Sequence, residues 1–313
     1  MGLEGYWFPV GYSGFSVKEV NLLGQEILVL KAKEGYVALQ NRCPHRGYKL
    51  SKSKVLDDRI KCSYHGWEFN FNGDCVYVPS SNSRGHVKLR KYQVKEKYSI
   101  VWVSLGNPVH DVPEFPEYDE QSFRKIRCGP YSFNANPFRV FENLLDVSHF
   151  PFVHEGYLGS PSYAKIPSFN VKLLDDRVVA EGIQVWQPNP DGTGEGKYTS
   201  YTYTVLDPLV LHFRKDSSDK VFSMYFALLP EGKERTTVFA WIAMNYAFEV
   251  PEEKIREFED TVLAQDKVIL ENQPTEFYLD VTREAHVEAD KHLVAYRHWL
   301  RKKVGRVEEL GLV

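Results

Sequence analysis

The sequence has little cysteine, little net charge and no long apolar run, and each shortage removes a class of protein. Four cysteines among 313 residues cannot staple a secreted scaffold. In a reducing compartment they are thiols or metal ligands, and spacing must decide which. A formal charge of −3 and a pI of about 6.4 offer no general attraction to nucleic acid or anionic lipid. No stretch of about 18 uncharged apolar residues occurs, so no membrane-spanning helix is expected. The opening segment MGLEGYWFPVGYSG lacks the basic start and apolar core of a secretory signal, and Tyr6 stands where a myristoylation signal has Ser or Thr. A cytoplasmic protein is expected. Nicotinamide and flavin fingerprints are missing too. The glycine-rich DGTGEGK, Asp191 to Lys197, follows no βαβ pattern and reads as a flexible hairpin tip.

What is present is an ordinary globular composition, 43% hydrophobic and 26% charged, in a chain longer than one core usually organises. From Gly5 to about Leu105, short β-rich runs such as EILVLKA, YVALQNR and SIVWVSL alternate with Gly, Asn, Asp and Ser turns, the pattern of a small antiparallel β domain. Asn107 to Gln121, rich in proline and acid without periodicity, reads as a linker, and we place the boundary at Phe115, giving domains 1–115 and 116–313. Beyond it FRVFENLLDVSHF reads as a helix. Residues 165 to 245 alternate apolar and polar as a larger antiparallel sheet, and the final third returns to helix. The fold class expected is α+β.

Two Cys/His pairs punctuate the first domain. Cys43-Pro44-His45 and Cys62-Ser63-Tyr64-His65 are separated by sixteen residues. Two thiolates and two imidazoles can complete a 2Fe-2S cluster with both sulfurs on one iron and both histidines on the other. They also suit tetrahedral zinc, although zinc modules usually pair their cysteines with each other. Gly47, Gly66 and Trp67 are expected to shape the two loops. Cys75 and Cys128 lie outside them and read as buried thiols.

CPHRG followed by CSYHGWEF resembles the Rieske domain of aromatic-ring oxygenases, over most of residues 5 to 110. Neither loop holds the extra cysteine of respiratory Rieske proteins, as in the oxygenase type.

A second constellation follows in NLLDVSHFPFVH. His149 and His154 are five residues apart, about 140° on an unbroken helix, so they converge only if the helix breaks. Pro151 supplies a break, with His149 expected to end one helix. Two imidazoles and one carboxylate make the facial triad of non-haem iron. In the helix VPEEKIREFEDTVLAQDKVILENQ, Asp266 stands in an apolar stripe of Ile255, Phe258, Val262 and Ile269, with Glu259 near the same stripe as an alternative.

The resemblance now spans nearly the whole chain and implies His149, His154 and Asp266 as ligands of a mononuclear Fe(II). Asn143 and Asp146, at three-residue steps from His149, fit supporting roles. In the family, subunits form a homotrimer in which an aspartate links a cluster histidine to an iron histidine of the neighbouring chain. By motif position these are Asp146, His65 and His149. Electrons would come from a separate NAD(P)H-dependent reductase, with or without a ferredoxin.

Chain length and the NLLDVSH segment resemble the branch with vanillate and dicamba O-demethylases and phthalate-type enzymes. The expected activity is O2-dependent hydroxylation or demethylation of a small, apolar or aromatic substrate. Ring cis-dihydroxylation is the alternative within the class, and a cluster-only redox carrier or sensor the alternative outside it. Phe222, Tyr225, Phe239, Trp241 and Asn245 alternate in strand-like runs, but such residues are more often core. His286, His292 and His298 do not cluster at six-residue spacing and are expected at the surface or an interface, and Arg301 to Lys303 suits a helix C-terminus.

Overall fold

The computed structural model describes residues 2–190, 192–217 and 219–305. They divide into two units, Glu4–Val112 and the chain from Pro113 onward.

The first unit is all β. Strands β1 (Phe8–Tyr12), β2 (Val17–Leu22), β3 (Gln25–Ala32), β4 (Gly35–Gln40), β9 (Lys91–Lys97) and β10 (Ile100–Ser104) form one antiparallel sheet in the order β1-β10-β9-β4-β3-β2. Strands β5 (Lys54–Val55), β6 (Arg59–Lys61), β7 (Glu68–Asn70) and β8 (Cys75–Tyr77) form a second, four-stranded sheet. The continuous apolar run Ile27 to Leu30 is buried along its whole length, which requires cover on both faces of β3. Leu28, Leu30, Leu39, Leu50, Ile60 and Phe69 make a core that takes in Cys43, Cys62 and Cys75.

The second unit is built on a seven-stranded antiparallel sheet. Its strands are β11 (Arg124–Phe133), β12 (Asn170–Leu173), β13 (Val178–Gln187), β14 (Lys197–Asp207), β15 (Val210–Ser217), β16 (Lys220–Gly232) and β17 (Arg235–Met244), in the order β11-β17-β16-β15-β14-β13-β12. The expected hairpin tip joins β13 to β14, although Asp191 itself lies outside the described residues. Four helices accompany the sheet: α1 (Pro137–Leu145), α2 (Phe150–Val153), α3 (Glu252–Leu270) and α4 (Lys291–Val304). Helix α3 packs on β11, α1 on β16, β17 and α3, and α4 on β12 and β13. The proline-rich segment read as a linker has no regular structure but is anchored where it enters this unit. Phe115 stacks on Tyr225, and Glu117 is buried and accepts a hydrogen bond from His212 Nε2 at 2.9 Å.

Helix α1 starts where the sequence dictates. Asn136 caps it, accepting from the Phe138 amide at 2.9 Å, and Pro137 occupies the first turn. It stops earlier than expected, at Leu145. Asp146 already has extended backbone (φ −73°, ψ 146°), so neither Asp146 nor His149 belongs to this helix. The break precedes His149, which instead caps the short α2. Pro151 sits in the first turn of α2, where its missing N–H costs nothing, and so it starts a helix rather than ending one.

Two further expectations are corrected. The buried face of α3 is Glu259, Val262, Leu263, Asp266 and Leu270, while Phe258 and Ile269 are exposed. Counting apolar residues picked a face rotated from the true one, because two carboxylates point inward. His292 is fully buried rather than at the surface; its Nε2 donates to the Leu145 carbonyl at 3.0 Å, satisfying the open end of α1. Helix α1 is tied to α4 a second time by Arg297, which donates to both carboxylate oxygens of Glu142 at 2.6 Å.

Candidate metal centres

In the first unit the two ligand loops are built alike. Cys43 N donates to Tyr48 O and Gly47 N to Cys43 O, at 2.9 and 2.8 Å; Cys62 N donates to Trp67 O and Gly66 N to Cys62 O, at 2.8 and 2.9 Å. Each tight loop needs a residue with positive φ, supplied by Gly47 (70°) and Gly66 (73°). The thiols of Cys43 and Cys62 face the core, and the imidazoles of His45 and His65 stand outward with ring centroids 4.4 Å apart. Trp67 stacks on His45 at 4.6 Å and fixes its plane.

Burial, with the adjoining Cys62 thiol adding to it, pushes the Cys43 thiol up to about 11. His45 Nδ1 is buried without a partner. An unpaired ring nitrogen and two adjoining thiols fit a cationic group between the loops. The four donors do not converge on one point as zinc ligands would. Among the described residues, the only three or more His, Cys, Asp or Glu donors within 4.8 Å of one another are His149, His154 and Asp266. Two thiols inside and two imidazoles outside fit the wider 2Fe-2S cluster. Cys75 and Cys128 are buried free thiols.

The second unit brings the two histidines and the carboxylate together from three places. His149 precedes α2, His154 follows it, and Asp266 comes from α3. His149 Nε2 and His154 Nε2 lie 3.1 Å apart, and Asp266 Oδ1 lies 3.4 and 3.1 Å from them. Donors bound at about 2.1 Å and at right angles stand about 3 Å apart, so this triangle matches one face of an octahedral ion. The opposite ring nitrogens are fixed. His149 Nδ1 donates to Asp146 Oδ2 at 3.0 Å and His154 Nδ1 to Gln265 Oε1 at 2.7 Å, leaving both Nε2 lone pairs directed at the centre. Burial lowers His149, but the hydrogen bonds and charges of Asp146 and Asp266 outweigh it and hold the ring at about 9. Asp146 also accepts from the Ser148 amide at 2.9 Å, and Asn143 Nδ2 donates to Asp266 Oδ1 at 3.3 Å.

Glu259 does not join the set. It lies two turns earlier on α3, buried, and lines a small cavity beside the three donors together with Tyr203, Phe213, Met224 and Phe226. Gln265 and these strand residues were not anticipated. Gln265 adjoins Asp266 in sequence, but nothing local shows that it reaches His154. On β16 the cavity takes Met224 and Phe226, while Tyr225 points into the core with Phe239 and Trp241.

A cluster site in a β unit and a two-histidine, one-carboxylate site under an antiparallel sheet define a Rieske oxygenase, and the chain belongs to that family. Residues 10–97 match the Rieske [2Fe-2S] domain and residues 133–306 the vanillate O-demethylase oxygenase C-terminal domain. Methylxanthine N1-demethylase NdmA of Pseudomonas putida is 30% identical, over 96% of this chain and 89% of its own. Methylxanthine N3-demethylase NdmB of the same organism is 27% identical over 95% and 88%. The solved structure of NdmA with caffeine has a TM-score of 0.84 at 28% identity, covering 98% of this chain and 92% of that one. Dicamba monooxygenase bound to dicamba shares the fold at 20% identity, with a TM-score of 0.81 over 98% of each chain.

The protein is therefore an enzyme, an oxygenase with a 2Fe-2S cluster and a mononuclear non-haem iron. A carrier using the cluster alone has no use for residues 133–306. No helix among the described residues is long and apolar enough to cross a membrane.

Proposed function

We propose that this chain oxidatively demethylates a small aromatic substrate, with residues 1–115 holding the cluster and residues 116–313 holding the iron. The observation that carries the reading is the triangle of His149, His154 and Asp266 donors beside a small, mainly apolar cavity. In this reading Cys43, Cys62, His45 and His65 hold the cluster, and the triangle holds the iron. With both groups bound and the reductase supplying two electrons, one atom of O2 enters a methyl C–H bond, the other leaves as water, and the hydroxymethyl product loses formaldehyde.

The chain's own residues position and insulate that chemistry. Asp146 and Gln265, each accepting from an Nδ1–H, hold His149 and His154 with Nε2 aimed inward. Asn143 steadies the carboxylate of Asp266. Phe150, Phe213, Met224 and Phe226 line the cavity with apolar surface and keep bulk water from the donors.

The homotrimer, in which Asp146 bonds His65 of a neighbouring chain, is supported by what each unit exposes. Tyr64, packed on His65, is 61% exposed, and Phe152, between the two iron histidines, is 64% exposed. Large apolar side chains at both sites suit burial against another subunit. A ferredoxin between reductase and cluster, and a cytoplasmic location, complete the proposal.

The test is anaerobic purification with iron and acid-labile sulfide counted per chain, then turnover of methoxylated and N-methylated rings with O2 and a surrogate reductase. Three irons to two sulfides, and formaldehyde in step with O2 uptake, are expected. Iron equal to sulfide and unchanged in His149→Ala would overturn the iron assignment. A cis-diol without formaldehyde would replace demethylation with dihydroxylation.

A further inference from the structure

The cavity beside the iron donors has polar groups that the reaction does not use. The Tyr203 hydroxyl is buried and has no hydrogen-bond partner. The Glu259 carboxyl is 6% exposed and makes no hydrogen bond or ion pair among the described residues. Both line the cavity, which is otherwise mainly apolar apart from the donors and Asn143, and no lysine or arginine lines it.

Three charged groups act on Glu259: Asp266, Asp260 and the one cation, Lys215, whose ammonium donates to the Pro190 carbonyl at 2.9 Å. Tyr203, Tyr201, Tyr131 and Cys128 also interact with it and bring no positive charge. A buried hydroxyl left unsatisfied is costly unless something pairs with it, and the Glu259 carboxyl beside the same cavity has no partner either among the described residues. An anion brought to the Glu259 end of the cavity would lose its hydration beside a carboxyl group, with no lysine or arginine lining the cavity to pair with it.

We propose that Glu259 and Tyr203 form the polar end of the substrate site and select an uncharged ring bearing a carbonyl or ring N–H, against arene carboxylates of similar size. This inference rests on the demethylase reading and narrows it. A ring carbonyl accepts from the Tyr203 hydroxyl, and a ring N–H donates to a Glu259 oxygen. Burial first, and Asp266 second, raise Glu259 to about 8. The free space is about 50 Å³, less than a ring fills, so the ring enters by displacing side chains. Unbranched Met224 is the lining residue best able to give way.

Calorimetric titration of the anaerobic, iron-loaded enzyme tests this without turnover. The neutral ligands are 1-methyl-2-pyridone and 1,3-dimethyluracil, and the anion is 4-methoxybenzoate. At least one neutral ring should bind tenfold or more tightly than the anion. Glu259→Leu and Tyr203→Phe should each weaken it by about tenfold, with iron content unchanged, and Glu259→Gln, which still donates and accepts, by no more than about threefold. Equal or tighter binding of the anion by the wild type overturns the inference, as does an unchanged preference in Glu259→Leu. If 4-methoxybenzoate binds best and releases formaldehyde, demethylation stands and only the selectivity falls. If no ring binds and no methyl group is oxidised, both fall.

Discussion

The two metal-binding regions are constructed on opposite principles. In the first unit, each Cys/His pair lies on one short loop, and the same two backbone hydrogen bonds, at Cys43 and again at Cys62, hold both loops. In the second, two histidines flank a four-residue helix, while the carboxylate and the partner of His154 come from a helix more than a hundred residues later. The loop geometry is local and depends on glycine and a hairpin. The triangle exists only when α1, α2 and α3 are packed on one another and on the sheet. One site should therefore tolerate damage at a distance, and the other should not.

The sharpest way to separate the regions is Asp266→Ala. It should remove the mononuclear iron and reduce turnover to below about a thousandth of wild type, while acid-labile sulfide and the reduced-cluster EPR signal stay unchanged. Loss of the cluster signal as well would mean that the sites are not independent. Asp146→Asn keeps an acceptor for His149 but removes its charge, and should lower turnover about a hundredfold with both metals retained, as metal counting alongside steady-state rates will show.

Gln265→Leu asks whether the distant partner matters. With His154 Nδ1 unpaired, iron affinity in a competitive chelator titration should weaken by about tenfold, and unchanged affinity would reduce Gln265 to packing. The smallest effect is expected in the local site. Gly47→Ala places a Cβ in open space, so thermal unfolding should show only the backbone cost, about 1 kcal/mol. Gly66→Ala adds a contact of 3.1 Å with Pro79 and should cost more; the reverse order would break the equivalence of the loops.

The same contrast explains what could be read in advance. CPHRG and CSYHGWEF announce their geometry because ligand, turn glycine and stacking Trp67 are neighbours in the chain. NLLDVSHFPFVH announced its histidines but not its shape. Pro151 showed that the helix is interrupted, yet a proline is as comfortable in the first turn of a new helix as after the end of an old one, and the second applied to the sequence reading while the first is found. On α3 the apolar stripe located the helix and misjudged its rotation, since Glu259 and Asp266 face inward and Phe258 and Ile269 do not.

By itself, the sequence determined the α+β class, the sheet alternation and the Rieske resemblance, because these depend on residue type and short spacing, and it offered His149, His154 and Asp266 as candidates. Tertiary structure decided which α3 carboxylate meets the histidines, that Gln265 and not a neighbour holds His154, that His292 is buried under α1, and that Tyr203 and Glu259 share the cavity. The physical reason is rotation. Each residue turns a helix by about 100° and a strand by half a turn, so the inward face is fixed only by what packs against it.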